Sequence, residues 1–157
     1  MGKHSKAARL RASSLLAATV LVVLGGLGVA GTANADEGLV EGTPCTDDVR
    51  ACVDLGSKRA WLIDDGTVVR GPVPVGSGGP GHETPKGDFR VEWKDTNHKS
   101  AEYDGAPMPF AVFFAEGGIA FHEGRTDTPS KGCVRLRHED AIEFYDFLDV
   151  GDAVEVH

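Results

Sequence analysis

Phe121-His122-Glu123-Gly124 stands a short loop ahead of Ser130-Lys131-Gly132-Cys133-Val134-Arg135, so an imidazole and a thiol lie eleven residues apart. A thiol attacks carbonyl carbon well only as thiolate, and an imidazole that titrates near working pH can take its proton. Lys131, Arg135 and Arg137 crowd cations around Cys133 in an otherwise acidic chain, and cationic neighbours lower a thiol's pKa. Gly132 leaves room for a substrate backbone. Its N–H and that of Cys133 are candidate donors to an oxyanion. A free cysteine is more often a small buried hydrophobe, but charged flanks argue against full burial here. His122 follows the apolar run Ile119-Ala120-Phe121, which aims it from the end of a strand. His82, His98 and His138 fall in loop-like, solvated surroundings; His138, close to Cys133 in sequence, is the alternative base.

The N-terminus says where such a thiol would work. Residues 1–14 carry Lys3, Lys6, Arg9 and Arg11 and no acid, residues 15–30 are apolar or small, and Ala33-Asn34-Ala35 completes a cleavage site. This is the pattern of a secretory signal peptide over residues 1–35. The apolar stretch is shorter than the roughly 20 residues of a spanning helix, so no membrane anchor is expected after cleavage. Cleavage leaves 122 residues and takes the formal charge from −8 to −12. That length suits one domain, and an acidic domain is not built to hold nucleic acid by charge.

Exported thiols tend to pair. Cys45 and Cys52, with six residues between them, would close a small loop and leave Cys133 free. Pairings of Cys133 with Cys45 or with Cys52 are the alternatives. Zinc is disfavoured, because neither C-x-x-C nor H-x-x-x-H spacing occurs, and no metal or cofactor is expected.

Residues 36–48 are acidic and glycine-rich and are expected to form a flexible leader to a domain over 49–157. Val49, Ala51, Val53 and Leu55 alternate as in a strand. Asp64-Asp65-Gly66 between apolar runs predicts a hairpin, and so does Glu116-Gly117-Gly118 between residues 110–115 and 119–121. Residues 71–87 hold six glycines and four prolines and predict loop, with one short strand at 73–75. Phe89, Val91 and Trp93 alternate as one further strand. Ala141, Ile142, Phe144, Tyr145 and Leu148 recur at helical spacing, with Glu139 and Asp140 at the positive end of the dipole and Gly151 as the C′ stop. Residues 153–156 predict a last strand. The expectation is a mainly β domain, largely antiparallel, with one C-terminal helix.

The chemistry-bearing residues resemble the signature of the L,D-transpeptidase catalytic domain, or YkuD, family: histidine, a loop, then Ser/Thr-x-Gly-Cys-x-Arg/Asn. Pro74-Val75-Gly76-Ser77-Gly78 with Thr84-Pro85-Lys86-Gly87-Asp88-Phe89, and Met108-Pro109-Phe110-Ala111-Val112-Phe113-Phe114, are similar to two further family segments. The resemblance runs from about Ala51 to Val156. It implies a mixed β-sandwich-like fold and an extracytoplasmic cell-wall enzyme acting on peptidoglycan stem peptides; a monomer is expected. It implies a cysteine acyl-enzyme formed with release of D-alanine and passed to an amine in a 3→3 cross-link. Water as acceptor would instead make an L,D-carboxypeptidase. A catalytically silent secreted domain that binds wall peptide is the competing class. By the same resemblance Cys133 is nucleophile, His122 base, and Gly132 with Cys133 the oxyanion hole. The backbone carbonyl of Glu123 or Gly124 orients His122, while Arg135, Ser130 and Lys131 face substrate. Lys131 stands where many members carry histidine, Glu123 where glycine or serine is usual, and the His-to-Cys interval is short. Residues 76–87 are a candidate for limiting water access, and an acidic protein suits a cationic amine acceptor.

Overall fold

A computed structural model of the chain describes residues 38–157; the predicted signal peptide lies outside them. Local turn chemistry builds the first hairpin. Asp65 and Gly66 both take positive φ, 45° and 70°, as a two-residue hairpin turn of right-handed twist requires. They join β2 (Arg59–Asp64) to β3 (Thr67–Pro74). The glycine turn at 116–118 likewise joins β6 (Pro107–Ala115) to β7 (Ile119–Glu123). The other strands are β1 (Ala51–Asp54), β4 (Gly87–Arg90), β5 (Trp93–Lys99), β8 (Val134–Leu136) and β9 (Ala153–Val156), with one helix, α1 (His138–Phe147).

The strands form a five-stranded sheet in the order β3-β2-β1-β9-β4 and a four-stranded sheet in the order β5-β6-β7-β8. Pairing is antiparallel except for β1 with β9 and β7 with β8. The fold is therefore mainly β with two mixed sheets. One core joins both sheets to the helix. Phe114 of β6, Phe121 of β7 and Phe144 of α1 stack in sequence, with ring centroids 4.7 and 5.2 Å apart. Around them lie Leu62, Leu136, Leu148 and Val154, each almost fully buried. A buried aromatic of this size stabilises by about 1.5–3 kcal/mol. The Arg70 guanidinium fastens the helix to β3, meeting the buried Asp140 carboxylate at 2.7 Å.

Three expectations need correction, and two elements are new. Phe89, Val91 and Trp93 do not share a strand. Val91 N–H still bonds the Asp152 carbonyl just ahead of β9 of the first sheet, whereas Glu92 N–H bonds Phe113 in the second, so the chain changes sheets there. Gly151 is not the helix stop: Leu148 caps α1, and Gly151, at φ 98°, serves the turn into β9. From residue 38 onward the supposed flexible leader is packed. Val40 and Cys45 are buried with Val49, Cys52, Trp61 and Ile63 in a second apolar cluster, and the Cys45–Cys52 disulfide holds the segment there. Finally, β8 and the polar half of β5 were not foreseen.

Candidate active site

Strand alternation sorts the side chains that matter. Phe121 of β7 and Val134 and Leu136 of β8 enter the main core. Their neighbours of opposite parity, Ala120, His122, Cys133 and Arg135, therefore fall on the other face of the sheet. There Ala120 packs with Met108, Ala111 and Phe113, and Cys133 lies against this group. Because β7 and β8 are adjacent and parallel, with His122 opposite Arg135, the loop between them returns Cys133 beside the strand that carries His122. Both residues line one cavity of about 560 Å³. Cys133 is the one free cysteine among the described residues, since Cys45 pairs with Cys52.

His122 is buried, and its Nδ1 lies 2.7 Å from the Glu123 carbonyl oxygen. A carbonyl only accepts, so Nδ1 carries the proton and Nε2 keeps its lone pair. Of the two carbonyls implied for this place, it is that of Glu123 that takes the bond. The Glu123 carboxylate is engaged elsewhere, at 2.9 Å from His138 Nδ1. Burial lowers the pKa of His122, and Arg135 adds to the effect, while the Glu123 carbonyl opposes it. Burial also raises the Cys133 thiol, offset in part by the Ala120 N–H and Arg135 and reinforced by the Glu102 carboxylate. Both displacements favour the uncharged forms, thiol and imidazole. The expected dominance of three cations over the thiol does not hold: Arg135 acts on it, but desolvation is the larger effect, and Lys131 and Arg137 are exposed.

The cysteine loop is held by a short relay. Ser130 Oγ donates to the Cys133 carbonyl at 2.6 Å and accepts the Gly132 N–H at 3.1 Å. Gly132 has φ 115°, and a Cβ there would stand 2.5 Å from Ile119 Cδ1, so only glycine fits. Its carbonyl accepts the Thr84 hydroxyl at 2.7 Å, and Thr84 Oγ1 accepts the Gly78 N–H at 2.9 Å. Gly76 and Arg135 exchange two backbone bonds, and Ser130 N–H reaches Ser77 O at 2.8 Å. Residues 76–84 thus buttress the cysteine loop and do not line the cavity, contrary to the water-limiting role suggested by their glycine content. Arg135 reaches Thr128 with Nη2 and passes over Gly124, where a Cβ would stand 2.7 Å from Arg135 Cδ. Its Nε is buried with no partner among the described residues.

The connection from β5 to β6 supplies another wall, with Glu102 and Tyr103 beside Trp93, His98, Met108 and Phe113. Trp93 stacks on its cross-strand partner Phe113 at 3.8 Å. His98 stands edge-on to both rings, with Nδ1 3.2 Å from Asp95 Oδ2. His98 is thus a cavity residue in a strand, not a solvated loop residue. His138, the alternative base, is exposed at the start of α1 and outside the cavity lining, and His82 is exposed in the buttress. Sequence reasoning missed Thr84, Trp93, His98 and Glu102. For Trp93 the signal was its place opposite Phe113 in a hairpin-like pair, and for Thr84 its place at the head of the T-P-x-G-x-F segment; His98 and Glu102 carry none. Among the described residues Cys45, Glu155 and His157 cluster as potential metal ligands, but the Cys45 sulfur is taken by the disulfide.

A half-buried thiol and a buried imidazole thus share one cavity at the edge of a mixed sheet. The chain belongs to the YkuD family of L,D-transpeptidase catalytic domains, whose family model matches residues 48–156. An L,D-transpeptidase from Stackebrandtia nassauensis is 30% identical with a TM-score of 0.64, over 68% of this chain and 54% of that one. Those from Mycobacterium smegmatis (24% identity, TM-score 0.62, 70% of this chain, 58% of that) and Mycobacterium tuberculosis H37Rv (23%, 0.63, 70%, 57%) share the fold. The chain spans somewhat over half the length of these solved relatives. No curated protein sequence matches it.

Proposed function

We propose that the protein is an exported cell-wall L,D-transpeptidase that joins peptidoglycan stem peptides by 3→3 cross-links through a Cys133 acyl-enzyme. The observation that carries this is the pairing, in one cavity, of the free Cys133 thiol with His122, whose Nδ1–H is pinned by the Glu123 carbonyl. His122 Nε2 takes the thiol proton as sulfur attacks the carbonyl of the third stem residue. The tetrahedral oxyanion is met by the Cys133 N–H, joined by that of Gly132 once Ser130 Oγ releases it. Collapse expels D-alanine, whose nitrogen takes the proton from His122. An amine of a second stem then attacks the thioester carbonyl, its proton passes to His122, and the C–S bond breaks to restore the thiol. Splitting one amide exchange into two steps is the use of a covalent nucleophile. Arg135 and Lys131 supply positive charge for a peptide carboxylate.

Tetrapeptide muropeptides incubated with the mature protein test the reading by mass spectrometry. Loss of D-alanine with dimers supports it, and loss without dimers makes the protein a carboxypeptidase. No loss by the wild type leaves the silent-domain reading. An LD-transpeptidase relative was solved in complex with imipenem; a single imipenem adduct, absent in Cys133→Ala, is expected here.

A further inference from the structure

Two carboxylates line the cavity, Glu102 and Glu123. Glu123 is committed to His138. Glu102 has no ion pair or hydrogen bond to another side chain among the described residues, and its charge is felt at the Cys133 sulfur. That field works against a thiolate, so it does not serve the first half of the reaction. Trp93 and Tyr103, two large aromatics left some two-fifths exposed, line the same cavity. The cationic lining residues, Lys131 and Arg135, belong to the cysteine loop and β8, whereas Glu102 and Tyr103 belong to the β5–β6 connection.

We propose that Glu102, in the cavity it shares with Trp93 and Tyr103, forms the subsite for the ammonium group of the acyl acceptor. The inference rests on the transpeptidase reading above. A carboxylate with aromatic faces is the chemistry that holds a primary ammonium. The bound ammonium first gives one proton to water; the same carboxylate then offsets the positive charge that develops on the free amine nitrogen as it attacks the thioester, before its second proton passes to His122. Glu102 thereby separates an amine acceptor from water, which gains nothing from a negative field.

The test uses one tetrapeptide donor and two acceptors in competition, a stem peptide bearing a side-chain ammonium and hydroxylamine, which is uncharged at neutral pH. Both products come from the same acyl-enzyme, so any change in acylation cancels from their ratio. In Glu102→Gln the preference for the ammonium acceptor falls roughly three- to tenfold, the range for a half-exposed charge-assisted contact. It falls further in Glu102→Lys and is retained in Glu102→Asp. An unchanged ratio in both Gln and Lys variants, with a wild-type acyl-enzyme clearly formed, overturns the subsite alone. A wild type that forms no acyl-enzyme overturns the transpeptidase reading and the subsite with it.

Discussion

The Thr84 hydroxyl donates to the Gly132 carbonyl at 2.7 Å, joining the T-P-x-G-x-F segment to the residue before the thiol across 48 positions of sequence. It also accepts the Gly78 N–H, so one buried side chain sets both the buttress and the cysteine loop. Thr84→Val keeps the shape but leaves a buried N–H and C=O unpaired. The expected cost is about 1–3 kcal/mol of stability for an unsatisfied buried group, with acylation by imipenem slowed about tenfold. Thr84→Ser retains the hydroxyl and most of the rate. Equal rates for wild type and Thr84→Val would remove Thr84 as a positioning residue.

The proton states of the pair set the pH profile. His122 is lowered from 6.5 and Cys133 raised from 9.0, in both cases first by burial. Between those displaced values the thiol has a proton to give and Nε2 a lone pair to take it. The acid limb of the acylation rate therefore lies below pH 6.5 and reports His122, and the alkaline limb lies above pH 9.0. Stopped-flow acylation across roughly pH 4–10, wider than the active-site shifts of about 2–5 units, checks this. Rapid alkylation of Cys133 at pH 5 would instead reveal a preformed thiolate–imidazolium pair.

Gly124 exists to let Arg135 by. In Gly124→Ala the new Cβ meets Arg135 Cδ and Cγ at 2.7 and 3.1 Å, so the side chain must leave its path to Thr128. Acylation by tetrapeptide is expected to fall about tenfold, while melting shifts little because the long side chain yields. Since positions of this kind cost well under 2 kcal/mol where the neighbour is flexible, a large loss of stability would mean that Arg135 is structural rather than oriented toward substrate.

The disulfide should matter to stability and not to chemistry. Cys45 and Cys52 belong to the apolar cluster with Trp61, separate from the cavity lining. Reduction, or Cys45→Ser with Cys52→Ser, lowers stability by at most about 2.5 kcal/mol on the chain-entropy estimate for so small a loop. The acylation rate at 25 °C stays at its wild-type value. A proportional loss of rate would tie this cluster to the site.

Legibility followed the range of the interactions. The Asp65-Gly66 and Gly117-Gly118 turns are local chemistry and were readable, as was the helical spacing of Ala141, Phe144 and Leu148. β5, as Trp93-Lys94-Asp95-Thr96-Asn97-His98-Lys99, has almost no apolar pattern. It is a strand because β6 pairs with it, and that hid His98 from view. The place of residues 76–87 behind the cysteine loop depends on Thr84 and on the Gly76–Arg135 bonds, contacts between segments far apart in the chain. The pairing of His122 with Cys133 was suggested by their short interval and the family signature; which carbonyl pins the imidazole depends on how the backbone turns at the end of β7.

β9 lies between β1 and β4, paired to β1 in parallel from Ala51 opposite Val154 to Val53 opposite Val156, roughly a hundred residues later. Folding of the five-stranded sheet therefore waits on that late partner, because contacts so distant in sequence form slowly. Until β9 arrives, β1 and β4 present open hydrogen-bonding edges, the condition under which strands of different molecules associate. A chain cut before Ala153 should aggregate rather than yield a smaller active domain.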